Sequence, residues 1–295
     1  SRAFERKQGW MSNDLLFPQF LLNRGVLDAA EVRIFLERML TAKVDVPVQA
    51  LFHGVATAAD LASLGALSGA EFRASAEREG VLTASQLYNL GEAIAGEGCR
   101  FAQALLDAGR LDYEELEKLL GDFKRAGEHP LSEAIQRAAE GRLAEELPLY
   151  TEYVGVAMLA FKRFMKIACV VVPQAEPFPE SVPCRFVSQA ITGGVSLVAG
   201  LEAPDAVFLA LARRYSHEDF SELDDLAVDS LAEFLNVLDG FFAVRLGERD
   251  LELDLEIPRT AHALNAKACP SKFLRLHIES PVGAFALLLA TDEFL

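Results

Sequence analysis

The sequence predicts an α+β protein in two parts. An all-α helical-repeat domain comes first, and a domain with a largely antiparallel sheet covered by helices follows. Three observations predict this. The first 127 residues repeat one pattern of helix end followed by helix start. After residue 148, short strand-like runs alternate with amphipathic helices. Between the two, the stretch KRAGEHP at 124–130 combines charge, Gly and Pro and breaks the helical period. The boundaries read from these changes are 1–127 for the helical-repeat domain, 128–146 for a connecting helix and 147–295 for the α+β domain.

Length and composition suit that division. The chain has 295 residues, 51% hydrophobic and 24% charged, enough for two cores and unlike a disordered chain. Lys and Arg number 28 against 44 Asp and Glu, a formal charge of −16, which excludes phosphate-neutralising nucleic-acid binding and docking on anionic lipid. The opening SRAFERKQGWMSND has no apolar run, so no secretory signal is visible. The strongest apolar stretches, 167–173 and 284–290, are too short to span a bilayer, so no membrane insertion is expected. Cys99, Cys169, Cys184 and Cys269 lie far apart, as do the five histidines, and neither set has metal-ligand spacing. The cysteines read as buried free thiols, and a cytoplasmic location is expected on that ground.

Four segments define the repeat: GVLDAAEV from Gly25, GVATAADL from Gly54, GVLTASQL from Gly80 and GRLDYEEL from Gly109. Each glycine suits the left-handed conformation that ends a helix. Asp28, Thr57, Thr83 and Asp112 are predicted N-caps, with Glu31, Asp60, Gln86 and Glu115 at the capping-box position. Pro18 and Pro47 each sit seven residues before the glycine, which strengthens the register of the first pair. The segment RFAQALLDAGRLDYEELEKLL at 100–120 resembles the helical unit of the N-terminal domains of type II secretion ATPases, some of which bind cyclic di-GMP. Ala102 stands where that family tends to have Gly, and no other copy carries the equivalent of Arg100. Capping and amphipathic spacing account for most of the match, so a protein-interaction, packing or regulatory module is the favoured reading.

Residues 131–146 have a polar helical pattern and read as the connecting helix. An amphipathic helix is expected over 149–165. Strands are expected at 166–172, 184–190, 194–201, 250–257, 272–279 and 283–290, with helices at 204–215 and 222–246. In the last helix, LDDLAVDSLAEFLNVLDGFF, the helical period sets Leu223, Leu226, Ala227, Leu231, Phe234, Leu238 and Phe241 on one broad side. Asp225, Asp229, Glu233 and Asn236 gather within an arc of about 80° on the other. The three acids are stacked i,i+4, and each like-charge step costs about 0.2–0.5 kcal/mol of helix stability. Structure alone supplies no reason for that stack beyond a solvated acidic face.

The spacing Asp229-xxx-Glu233-xx-Asn236, with Pro258 a further 22 residues on, resembles the CheC/CheX/FliY chemotaxis phosphatases. ITGG at 191–194, the run LDDLAVDSLAEFLN at 223–236, Gly240 and the order of elements extend the resemblance over 147–295. The second copy of the motif that some members carry is absent, because Glu152 is followed at the Asn position by Gly155. The likeness is therefore to CheX, with one site per subunit and a homodimer.

The resemblance implies a phosphatase acting on the aspartyl phosphate of a phosphorylated CheY-like receiver domain. The catalytic pair would be Glu233, docking the receiver lysine, and Asn236, orienting the attacking water. Asp229, Gly240 and Pro258 would support them. No cofactor of its own is implied, the Mg²⁺ belonging to the partner receiver domain. Asp239, beside Gly240 where the family usually has a small or apolar residue, is expected to add negative charge near the approach path. The loop SHED at 216–219 adds three more titratable side chains. The alternative is a non-catalytic adaptor that binds a receiver or flagellar-switch partner through the same helix.

Overall fold

The computed structural model describes residues 13–65, 69–92, 95–127, 129–261 and 273–291. The chain divides into two compact units, Ser1–Pro130 and Leu131–Leu295.

The first unit is built of α1 (Asn13–Asn23), α2 (Ala29–Arg38), α3 (Val46–His53), α4 (Ala58–Leu64), α5 (Gly69–Arg78), α6 (Ala84–Glu92), α7 (Glu97–Asp107) and α8 (Tyr113–Ala126). One device recurs four times. Gly25, Gly54, Gly80 and Gly109 are left-handed, with φ of 65°, 71°, 72° and 62°. Each glycine N–H donates three residues back. The next N–H reaches five back, as from Val26 to Leu21 and from Arg110 to Leu105. Those two bonds satisfy carbonyls that a helix end otherwise leaves unpaired. The side chains of Asp28, Thr57, Thr83 and Asp112 then accept from the N–H groups of Glu31, Asp60, Gln86 and Glu115, whose side chains return the bond. Leu27, Ala56, Leu82 and Leu111, the residues between glycine and cap, are buried in every copy.

Helix α7 packs against α1, α2 and α3. Phe101 meets Phe35 at 6.2 Å between ring centroids, and Phe17 meets Phe123 at 5.4 Å. Buried Gln103 accepts from the Asp45 N–H at the start of α3, where Asp45 makes no side-chain cap of its own. This satisfies one of the four donors that a helix start leaves open.

The second unit starts within α9 (Pro130–Ala139), at Leu131, and goes on with α10 (Leu147–Ala160), which is continued by one wide π turn at Phe161–Met165. The predicted helix over 131–146 thus ends at Ala139, because Glu140, Gly141 and Leu143 all take positive φ. The sheet strands are β1 (Val170–Val172), β2 (Cys184–Gly193), β3 (Leu197–Pro204), β4 (Leu253–Leu255), β5 (Arg259–Ala261), β6 (Leu274–Glu279) and β7 (Phe285–Ala290), with α11 (Asp205–Ser216) and α12 (Asp225–Gly247) between β3 and β4. All pairings are antiparallel in the order β1-β6-β7-β3-β2, and β4 and β5 share the outer edge of β2. The fold class is α+β.

Helices α11 and α12 lie on the sheet, and α10 packs on α12. Phe161 of the π turn bridges helix and sheet, 5.1 Å from Phe234 of α12 and 4.9 Å from Phe285 of β7. The expected strand at 166–172 is shortened to β1, because the π turn runs to Met165 and Lys166 is left-handed. Strand β5 was not anticipated. The pattern there is broken by Pro258, and only pairing with β2 makes these three residues a strand.

Of the four cysteines, Cys99 and Cys184 are buried and Cys169 is partly exposed, which departs from the expectation for Cys169; Cys269 lies outside the described residues. No helix among the described residues is long and apolar enough to cross a membrane.

Because the capping boxes recur at each joint, loss of one should be felt by the whole first unit. Asp112→Ala is expected to cost about 1 kcal/mol. A shift of the first urea transition to lower denaturant in the full chain checks this; an unmoved midpoint would contradict it.

Candidate functional site

Helix α12 begins where the Asp224 side chain accepts from the Ala227 N–H at 2.9 Å. Its buried side is formed by Ala227, Leu231, Phe234, Leu235, Leu238, Asp239, Phe242 and Leu246. Leu226 and Phe241, which periodicity sets on the broad apolar side, are 67% and 41% exposed. The core stripe is centred near Leu238 and is narrower than the pattern implied, so both residues fall outside it. Asp225, Asp229, Glu233 and Asn236 are exposed on the opposite side, as the spacing predicts. Asp229 and Glu233 have no hydrogen-bond or ion-pair partner among the described residues.

Asn236 differs from its acidic neighbours. Its Oδ1 accepts from Nε2 of Gln189 at 2.7 Å, and the same Nε2 donates to the backbone oxygen of Glu256 at 2.6 Å. Gln189 lies in β2 and is buried. Glu256 stands in a β-bulge. Between Ile191 opposite Leu255 and Ser188 opposite Arg259, β2 has two residues, Gln189 and Ala190, and the facing chain has three, Glu256, Ile257 and Pro258. The extra residue leaves Ile257 86% exposed. Pro258 sits in the bulged edge, where its missing N–H costs no ladder bond. The 22-residue spacing from Asn236 to Pro258 is thereby realised in space through Gln189, a residue the sequence reading did not single out. A polar residue at an inward position of a strand was its only signal.

Gly240 lies one turn beyond Asn236 with ordinary helical φ, and a Cβ there would meet nothing within 4 Å. No contact among the described residues demands glycine. Beside Glu233 is a group that the sequence reading also missed. Tyr215 packs its ring against Phe234 at 5.4 Å and Phe164 at 6.4 Å, and Arg163 lies over the rings of Phe164 and Phe241. Burial raises the Tyr215 phenol above its ordinary pKa, and the Glu233 charge raises it further.

Asp239 overturns the expectation of a negative charge on the approach path. It is fully buried, and the Tyr153 hydroxyl donates to its Oδ1 at 2.6 Å. Burial pushes its carboxyl up to about 8, against the opposing pull of the Tyr153 bond, so it is largely protonated at neutral pH. The 216–219 loop is held by Arg213, which donates to the Phe220 carbonyl, while His217, Glu218 and Asp219 remain exposed. On α10, Glu152 accepts from Arg245 at 2.6 Å and from Arg249 at 2.8 and 2.7 Å. The lone acid of the incomplete second motif is thus a structural tie to the end of α12. Among the described residues, no group of three or more His, Cys, Asp or Glu is arranged to hold a metal ion.

No family model and no curated protein matches the sequence. Solved structures do resemble its C-terminal half. They are CheX, CheC-like and FliY proteins. CheX from Desulfovibrio desulfuricans is 12% identical over 49% of this chain and 99% of its own, with a TM-score of 0.39. CheX in the CheX–CheY–BeF₃–Mg²⁺ complex from Borrelia burgdorferi is 15% identical over 49% and 97%, at 0.38. Thermotoga maritima FliY is 15% identical over 46% and 83%, at 0.34. The likeness is one of fold.

The buried acid sets a pH dependence whose sign follows from its raised pKa. The native state keeps a proton that the unfolded chain, titrating near about 3.9, gives up. This contribution to stability is complete below about pH 4 and is lost as pH rises through about 8. Asp239→Asn should flatten that fall. Urea denaturation of both proteins at pH 5, 7 and 9 checks it, and parallel profiles would contradict a buried protonated acid.

Proposed function

We propose that this chain is a phosphatase that hydrolyses the aspartyl phosphate of a CheY-like receiver domain. The observation that carries the reading is that Glu233 and Asn236 share the exposed side of α12, with Asn236 tied from beneath through Gln189 to the bulge that holds Pro258. A mere solvated acidic stripe has no use for a buried strut under its one amide.

In this reading Asn236 enters beside the phosphoryl group. Its amide has no group that titrates near neutrality, so its contribution is orientation: it donates to a phosphoryl oxygen and accepts from the attacking water. Water adds to phosphorus, the bond to the aspartyl oxygen breaks, and phosphate leaves the restored carboxylate. The Mg²⁺ and most of the charge around the phosphoryl belong to the receiver, which leaves positioning as the work of this chain. Glu233 pairs with the receiver's lysine and fixes the docking register. Asp229 flanks it, and Gly240 keeps the surface low where the partner approaches. The family resemblance also brings a homodimer in the cytoplasm and a chemotaxis or two-component pathway, with residues 1–127 as a regulatory or interaction module.

Phosphate loss from a panel of phosphorylated receiver domains tests the reading. Wild type is expected to accelerate loss from at least one. Asn236→Ala should lower kcat by about 100-fold with binding retained, and Glu233→Ala should weaken binding as well. Binding without acceleration on any receiver would favour the adaptor.

Gly240 provides a separate check. Gly240→Ala should stabilise the helix by up to about 1 kcal/mol. Gly240→Leu, whose Cβ likewise has open space around it, should raise KM for the receiver. Unchanged KM would remove Gly240 from the docking surface.

A further inference from the structure

A carboxamide has two ends of similar size and opposite chemistry, and which end Asn236 shows to a partner decides what it recognises. Three facts settle this. The Glu256 oxygen 2.6 Å from Gln189 is a backbone carbonyl and only accepts, so the end of Gln189 that meets it is the NH₂. The second hydrogen of that NH₂ faces Asn236 at 2.7 Å and needs an acceptor, so Asn236 must turn its oxygen inward. Gln189 is 1% exposed, which leaves no solvent to compensate either bond.

Both reversals are unfavourable. Turning Gln189 over would press its own oxygen against the Glu256 carbonyl. Turning Asn236 over would set two NH₂ groups against each other. The cost of the observed arrangement falls on Gln189, whose Oε1 is buried without a partner among the described residues. The side chain thus commits both of its donors, one to the bulge and one to Asn236.

We propose that Gln189 is a positioning residue that locks the Asn236 carboxamide oxygen-inward, so that the exposed end of Asn236 is a hydrogen-bond donor. The group facing Nδ2 in a complex must then be an acceptor, as a phosphoryl oxygen is. One lone pair of Oδ1 is occupied by Gln189 and the second remains for a water proton. Donation to Oδ1 also polarises the amide and strengthens its NH₂ as a donor. The backbone bulge acts through the same path, because its Glu256 carbonyl orients Gln189. The catalytic half of this proposal rests on the dephosphorylation reading; the orientation of the amide does not.

The test has two arms on the full chain. In the first, side-chain amide exchange is followed by NMR without any partner. The Gln189 NH₂ should exchange slowly and the Asn236 NH₂ at nearly the solvent rate. Gln189→Met should collapse the Asn236 amide resonances toward those of a free asparagine. Fast exchange at Gln189, or Asn236 resonances indifferent to the substitution, would overturn the lock whatever the activity. In the second arm, Gln189→Met should lower kcat for phosphate loss by about 10–100-fold with KM unchanged, and should add nothing in an Asn236→Ala background. Gln189→Glu, isosteric but with at most one donor proton for two oxygens, should show the same split if the thioether variant folds poorly. Full kcat in either variant would overturn the catalytic role. An inert wild type would overturn the dephosphorylation reading and that role together, and the exchange arm would still decide the orientation.

Discussion

Gln189 is the buried carboxamide on which the geometry of the site depends. An amide taken out of water costs several kcal/mol unless its donors and acceptors are met. Here both hydrogens are met, one by the backbone of the β4–β5 edge and one by a side chain of α12. The cost of leaving either bond unmade keeps three separate elements in register: β2, the bulge and the helix. The bulge is required for this, because the Glu256 carbonyl belongs to a run of three residues facing two on β2. Removing the extra residue would bring the Glu256 stretch back into ordinary register with β2.

Magnitudes explain how α12 tolerates its exposed side. Phe234, Leu235, Leu238 and Phe242 are at most 1% exposed, and burying each such side chain is worth about 1.5–3 kcal/mol. The i,i+4 repulsions among Asp225, Asp229 and Glu233 amount to about 0.2–0.5 kcal/mol per step. Packing dominates, so the helix carries its acids without help. The same surplus accommodates Asp239, which stays neutral in the core with Tyr153 as its partner instead of facing the approach path. The far end of the helix is tied by Glu152 to Arg245 and Arg249, half a dozen turns from the N-cap at Asp224.

What was legible in the sequence was whatever rests on local spacing. The four glycine-and-cap joints of the first unit could be read because each is completed within a few residues of itself. The exposed positions of Asp229, Glu233 and Asn236 followed from the helical period. Positions that depend on partners distant in sequence could not be read this way. Asp239 looked like a surface acid until Tyr153, 86 residues earlier, was found beneath it. Leu226 and Phe241 are apolar, yet the core stripe turns away from them. Strand β5 and the bulge exist only in pairing with β2, and Gln189 has meaning only once Asn236 and Glu256 are brought to it. The motif spacing identified the ends of that relay and not its middle.

The two principal side chains of the face are prepared in opposite ways, and the difference matches their proposed work. Glu233 has no hydrogen-bond or ion-pair partner among the described residues, and its flexible chain loses up to about 1.5–2 kcal/mol of rotamer freedom when it is fixed. In the proposed reaction that loss would fall at the moment of docking, where a charge pair would offset it and a mobile acid could adapt to the exact height of a lysine. Asn236 is already tied by Gln189 in the folded chain, so on the proposed reading less would remain to be ordered when a phosphoryl group arrives. A group that must hold a water within a few tenths of an ångström gains from rigidity, whereas one that only sets register gains from reach. A strut under the amide and none under the acid is the arrangement expected if α12 first captures a partner and then acts on it.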